Sequence, residues 1–281
     1  MPSEEFGVIG ATGQQGGAVV RALLDRSVKV RALVRSPGGS ASDALAGLGA
    51  RIVRADTGDP ASLAEAFHGL AGLFFMTVFA EHGPAGEVVQ GRTIVDAAVA
   101  ADVPYVVYSS VGGADRNSGV PHFESKWTVE EHLRASGLRS TTIRPVFFMD
   151  NFNSMMTVEV DGTTVLQAPL ASGVPLQMVA VRDVGVVSAV ALTDPTSVPS
   201  GAVEVGGDER TPEEIAQALG RRNGLPARFE AVPVDVVPDD DSRAMFAWFS
   251  HLPAYQADFV LTRRLHPGVQ DLETFLRDGA A

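Results

Sequence analysis

The sequence predicts an α/β fold: a doubly wound parallel sheet followed by a smaller C-terminal α/β region. Three observations predict it. Short apolar, β-branched runs alternate with helix-length segments over residues 6–144, the pattern of strands buried on both faces beneath crossover helices. A glycine-rich turn, Gly10-Ala11-Thr12-Gly13-Gln14-Gln15-Gly16-Gly17, separates the first apolar run from the first helix. After Pro145 the rhythm loosens into aromatic and Met-rich stretches, Gly/Pro turns and shorter elements. The division is placed at residue 150, with 1–150 as the sheet domain and 151–281 as a smaller region interleaved with it.

In order, residues 6–9 form a strand, 16–25 a helix, 28–34 a strand, 41–48 a helix and 51–55 a strand, which makes βαβαβ. The series continues with helix 61–67, strand 72–77, helix 87–101, strand 105–109, helix 123–136 and strand 140–144. Beyond it, 183–192 and 211–222 are the clearest helices. The second has a legible start, because Thr211 is an N-cap, Pro212 takes the first helical position and Glu214 completes a capping box. Asp183 is expected to cap its helix, and the acids of 238–241 to open another with favourable negative charge. All of these have a structural duty and no assigned chemistry.

At 281 residues and 45% hydrophobic content the chain can bury a substantial core. A net charge of -12 argues against a nucleic-acid surface, which needs clustered Lys and Arg. No cysteine is present, so disulfides, thiolate metal sites and thiol nucleophiles are excluded and redox chemistry would need a cofactor. No window reaches the ~18 apolar residues of a membrane span, and no basic, then apolar, leader opens the chain. A soluble cytoplasmic protein is the expectation.

The glycine turn sits where a strand hands over to a helix, so its backbone can approach a pyrophosphate at the helix N-terminus. Residues 1–150 are therefore expected to be a Rossmann-type dinucleotide-binding domain, with Gly10, Ala11, Thr12, Gly13, Gln14, Gln15 and Gly16 as its phosphate cradle. Thr12 stands where the G-x-G-x-x-G form has its second glycine. At the end of the second strand an acid would bind a ribose 2′-hydroxyl, whereas arginine accommodates a 2′-phosphate. The sequence has Arg35, in Val34-Arg35-Ser36-Pro37, so NADP(H) is favoured over NAD(H). The competing account is a solvated arginine, since Lys29 and Arg31 on the same strand read as exposed cations without a duty. Asp56 and Thr57 follow the third strand, and Thr77, Val78 and Phe79 the fourth, at carboxyl ends where ligands of such sheets lie. Asp59 is equally well explained as a helix cap.

Together with the glycine turn and Arg35, three further runs resemble the NmrA-like family of atypical short-chain dehydrogenase/reductases. They are His122-Phe123-Glu124-Ser125-Lys126, Arg144-Pro145-Val146-Phe147-Phe148-Met149-Asp150-Asn151, and Pro175-Leu176-Gln177-Met178-Val179-Ala180-Val181-Arg182-Asp183-Val184. The resemblance covers residues 6–222. It implies cofactor contacts from Gly10 to Gln15, Arg35, Asp56, Thr57, Thr77, Val78, Phe79, Lys126, Phe148, Met149, Asp150 and Asn151. In active short-chain reductases a tyrosine stands four residues before the lysine, which binds the nicotinamide ribose and lowers the tyrosine's pKa. Here His122 holds that position. Three readings of it stay open: a substitute acid, a substrate-orienting residue, or a loop residue packed behind Pro121. Ser109 and Ser110 end the fifth strand, where such enzymes keep a substrate-binding serine, or else only begin the Gly112-Gly113 turn; Ser110 is taken as the catalytic candidate with His122 and Lys126. Tyr108 is expected to face the sheet rather than substrate, its hydroxyl being able to serve if the strand end bends.

Phe147, Phe148, Met149, Phe152, Met155 and Met156, with Phe246, Trp248 and Phe249, would make an apolar pocket if they converge, and a core if they do not. Asn151 fits a carboxamide contact or a turn. The histidines show no zinc-ligand spacing, and neither a G-x-S-x-G elbow nor a P-loop is present, so no metal is expected. Members of the family include NAD(P)H-dependent reductases and redox-sensing regulators. The leading expectation is an NADPH-dependent reductase of a small apolar quinone, enone or ketone. The alternative is an NADP(H) sensor acting through a protein partner; a tailoring role in condensation or elimination is the third.

Overall fold

The computed structural model describes residues 5–153 and 156–279, without the side chains of residues 81, 82 and 153. Met155 lies outside them. The first half runs β1 (Glu5–Ile9), α1 (Gln14–Asp25), β2 (Lys29–Val34), α2 (Ser40–Gly47), β3 (Arg51–Arg54), α3 (Pro60–Phe67), β4 (Gly72–Met76), α4 (Phe79–Ala100), β5 (Val106–Ser109), α5 (Pro121–Ala135) and β6 (Ser140–Pro145). There follow β7 (Phe147–Phe148), a 3-10 turn (Met149–Asn153), β8 (Thr157–Val160), β9 (Thr163–Ala168), β10 (Leu176–Val179), α6 (Val181–Thr193), β11 (Gly201–Val205), β12 (Asp208–Arg210), α7 (Pro212–Asn223) and β13 (Ala227–Ala231). Helices α8 (Asp240–Phe249), α9 (Phe259–Leu265) and α10 (Leu272–Asp278) complete the chain.

Seven parallel strands form the central sheet in the order β3-β2-β1-β4-β5-β6-β11. The order reverses at β1, and the crevice beyond that point is where a doubly wound sheet offers a ligand site. Alternate residues of each strand feed two cores, because successive side chains point to opposite faces. Phe74 and Val107 pack with Val19, Val20 and Leu23 of α1 and Val184 and Val187 of α6. Leu73, Phe75, Val106 and Tyr108 pack instead with Leu63 of α3, Ile94 of α4 and Leu133 of α5. Strand β11, from beyond residue 150, extends the sheet alongside β6. The other late strands form two three-stranded sheets, β12-β10-β7 and β13-β9-β8.

The differences from the sequence reading lie mostly at helix starts. Helix α1 begins at Gln14 with Gly13 as N-cap, ahead of residue 16. Helix α5 begins at Pro121, a residue pre-set for the first helical position, so His122 belongs to its first turn. Helix α4 begins at Phe79 rather than 87, and breaks at Gly83 (φ 65°) before Pro84. The capping box of Thr211 and Glu214 forms as expected, and Asp239 caps α8.

Two expectations are corrected. Asp183 is not the cap of α6. Ala180 is, and the fully buried Asp183 accepts hydrogen bonds from His266 Nε2 (3.0 Å) and the Gln270 N–H (2.8 Å), anchoring the C-terminal segment. Arg31 is not an exposed cation. It is buried, donates to the carbonyls of Ala66 and His68, and pairs with Glu5.

Candidate active site

The phosphate turn is built by backbone constraint. Gly10 takes φ +70°, and its carbonyl accepts from the Gly13 N–H at 2.9 Å. A Cβ on Gly16 would lie 2.2 Å from that same carbonyl oxygen, so the helix can approach the strand this closely only with glycine there. Helix α1 has no side-chain cap and no acid in its first turn, while Thr12, Gly13 and Gln14 are exposed. Its N-terminal N–H groups and positive dipole end are thereby left for an anion.

Beside this turn lies a cleft of about 270 Å³ lined by Gly10, Thr12, Gly13, Arg35, Thr57 and Val78 among others. It gathers residues predicted from four separate loops, at the carboxyl ends of β1, β2, β3 and β4. Gln90 of α4 binds two of its walls together, accepting from the Val78 N–H (2.9 Å) and donating to Thr57 Oγ1 (3.0 Å). A larger groove, about 600 Å³, lies between α1, α2 and α6 and shares Thr12 and Gly13 with the cleft. The smaller one is the better cofactor candidate because it sits at the strand ends and holds Arg35.

The structure sets other predicted residues apart. The Asp56 carboxylate turns into its own loop, accepting from the Gly58 N–H at 3.0 Å. Asp59 caps α3. Met149 is wholly buried in the core. Asp150 accepts from the Val181 N–H (2.9 Å), capping α6 from a distance, and its flank reaches the groove beside Thr12. Phe148 and Asn151 are half-buried. Of the aromatic and methionine residues considered as a pocket, Phe147, Phe152, Met156, Phe246 and Phe249 are buried core, leaving Phe148 and Trp248 half-buried.

Thr77 does not line the cleft; its buried hydroxyl donates to Glu87 Oε1 (2.8 Å) and lies 3.1 Å from the Tyr108 hydroxyl. Lys126 Nζ meets Glu87 Oε1 at 2.6 Å and lies 3.3 Å from both oxygens of Thr77. Ser125 donates to the other oxygen of Glu87. Tyr108 is wholly buried and stacked on Phe75 at 4.6 Å, and burial pushes its phenol well above the usual range, so it faces the sheet as expected. Ser109 donates to Gln15 Oε1 at 2.7 Å, tying the end of β5 to the first turn of α1. Ser110 beside it has a buried hydroxyl with no hydrogen-bond partner among the described residues. His122 lies one turn before Lys126, its ring 5.7 Å from that of Phe79 and its Nδ1 2.7 Å from Asp241 Oδ2.

Glu87, Gln90 and Asp241 are the residues that the sequence reading missed. Glu87 and Asp241 look like ordinary acids at helix starts, and their partners stand 39 and 119 positions away. No local pattern signals such a pairing.

The sequence pattern of the NmrA-like family matches residues 3–275. The chain belongs to the NmrA-like family. An NmrA-like family domain-containing oxidoreductase, FrzB of Cladobotryum sp, is 36% identical over 157 residues, which cover 52% of this chain and 47% of that relative. The match thus spans about half the length of this relative. Among solved structures, the negative transcriptional regulator NmrA in complex with NADP superposes with a TM-score of 0.85 at 21% identity, covering 99% of this chain and 95% of NmrA. The Citrobacter sp. triphenylmethane reductase complexed with NADP(H) gives 0.82 at 21% identity, covering 98% and 99%. These likenesses carry the NmrA-like fold across the whole sheet and its late additions. Among the described residues no helix is long and apolar enough to cross a membrane.

Proposed function

We propose that this NmrA-like protein binds NADP(H) in preference to NAD(H) and reduces a small apolar quinone, enone or ketone. The observation that carries the reading is Ser110. A buried hydroxyl left without a partner costs about 1–3 kcal/mol, and such a group is tolerated where a ligand supplies the missing acceptor. Its neighbour Ser109 is bolted to the phosphate turn through Gln15, so the orphan lies next to the cofactor's cradle.

Bound NADPH would supply the hydride. The chain's own groups do the rest. The backbone of residues 10–14 would hold the pyrophosphate and Arg35 the 2′-phosphate, whose charge suits a guanidinium. Lys126, oriented by Glu87, serves the nicotinamide ribose. Ser110 donates to the substrate oxygen and His122 delivers the proton to it. Half-buried Phe79, Phe148 and Trp248 offer the apolar contacts that select an aromatic or quinone-like molecule.

The test is fluorescence titration with NADPH and NADH, then NADPH oxidation against quinones, enones and aromatic ketones, for wild type and His122→Phe. Tight NADPH binding with turnover that the variant loses is expected, and absence of binding would overturn the reading. Tight binding without turnover on any acceptor would favour the second reading, a sensor acting through a protein partner. What supports that alternative is the missing tyrosine, together with the likeness to a transcriptional regulator.

A further inference from the structure

Helix α5 begins without a side-chain cap of its own, since Val120 stands at the N-cap and Pro121 at the first position. The N–H of His122 is one of the donors that such an end leaves open. Asp241, in the first turn of α8, takes it with Oδ1 at 2.9 Å and reaches the ring Nδ1 of the same residue with Oδ2 at 2.7 Å. One carboxylate thus grips both the main chain and the ring of a single histidine. The two side chains are only 18% and 15% exposed. Phe123 stands edge-on to the imidazole at 4.6 Å and restricts its remaining freedom.

Capping needs one acceptor, and asparagine or serine would serve equally well. The second oxygen does something else. An ionised carboxylate only accepts, so the ring nitrogen facing it carries a proton whether the imidazole is neutral or charged. Nε2 becomes the nitrogen that exchanges protons, and it has no hydrogen-bond partner among the described residues. We infer that Asp241 is a positioning residue for proton transfer by His122, fixing its tautomer and the direction of its ring. This rests on the reading of His122 as proton donor. In the step, the Nε2 proton passes to the substrate oxygen while the substrate carbon accepts the hydride of NADPH, leaving NADP+. The neutral ring keeps its proton on Nδ1 and regains one at Nε2 from solvent.

The experiment compares full-length wild type, Asp241→Asn and Asp241→Ala by long-range ¹H–¹⁵N correlation of the histidine rings, with His122 assigned from the spectrum of His122→Phe. Steady-state NADPH oxidation is measured on the same samples. Asparagine keeps an oxygen for the His122 N–H but turns an NH₂ towards the ring, so a neutral imidazole must face it with a bare Nδ1. The expected result is a proton on Nδ1 in wild type and on Nε2 in Asp241→Asn, with kcat down about 100-fold and KM within about two-fold. Alanine removes cap and ring acceptor together and lowers stability as well. A wild-type ring protonated on Nε2, or an unchanged kcat in Asp241→Asn, would overturn the inference. If the tautomer reverses while wild type oxidises NADPH with no acceptor, control of the ring by Asp241 stands and the reductase reading is what fails.

Discussion

The Lys126 ammonium lies 2.6 Å from a carboxylate oxygen of Glu87, a side chain with no exposure to solvent at all. Their partnership joins α5 to α4 beneath the site, and Thr77 and Ser125 each donate a further hydrogen bond to the carboxylate. Removing one member leaves the other buried and uncompensated, at a cost of about 3–5 kcal/mol. Glu87→Ala is expected to lose that much in urea unfolding. Glu87→Leu combined with Lys126→Met should recover most of it, since Thr77 keeps Tyr108 and Ser125 keeps the His122 carbonyl as partners. A double variant as unstable as the single would mean that the cost comes from packing and not from charge.

Arg35 opens onto the cleft beside Gly10 and Thr12, where a 2′-phosphate would distinguish the two nicotinamide dinucleotides. A charged hydrogen-bonded contact contributes about 1.5–3 kcal/mol, or roughly 10- to 150-fold in affinity. Arg35→Asp should weaken NADPH by at least that factor while leaving NADH within a few-fold, as read by fluorescence titration of both. An equal loss for both cofactors would remove Arg35 from 2′-phosphate recognition.

Glu5 makes a prediction about acid stability. The hydrogen bond from Arg51, and then that from Arg31, outweigh the cost of burial and lower its carboxyl from 4.5 to about 2. A carboxyl depressed on folding stabilises above its unfolded value, and that stability disappears as pH falls from 4.5 towards 2. The contribution is up to about 3 kcal/mol, less what screening removes at the exposed Arg51. Urea midpoints of wild type and Glu5→Gln should differ at pH 7 and converge near pH 2. A constant difference across that range would show that the glutamate acts by packing alone.

This ion pair also marks where the sequence stops being legible. Along β2, Lys29 and Arg31 alternate with Val30 and Ala32, which reads as one face in water. The partner that buries Arg31 lies on the neighbouring strand, where Gly7 is its register partner and Glu5 stands two positions earlier. Charge pairing across strands has no signature in either strand alone. That the glycine turn, Arg35, Thr57 and Val78 would meet at one cleft was legible because each is a local feature, a backbone bend or a strand end whose position follows from topology. Glu87, Gln90 and Asp241 act through residues tens of positions away, and their own neighbourhoods show only helix. The aromatic run after Pro145 was ambiguous for another reason: apolar bulk is equally suited to a pocket and to a core, and most of it is core.

The phosphate turn can be tested with two alanines of opposite sign. At Gly16 the new methyl would collide with the Gly10 carbonyl oxygen at 2.2 Å, and that oxygen cannot yield freely because it also accepts from the Gly13 N–H. The helix must move off the strand, opening the cradle and costing about 1–3 kcal/mol. At Gly47, the last residue of α2, a methyl meets nothing within 4 Å, and alanine should stabilise by about 0.5–1 kcal/mol. Gly16→Ala is therefore expected to lower the urea midpoint and lose NADPH binding in the same titration that leaves Gly47→Ala unaffected. Since the two variants add the same group, a difference between them isolates the close approach at the turn. If Gly16→Ala bound NADPH as wild type does, contact between the turn and the pyrophosphate would have to be abandoned, however well the glycines fit it.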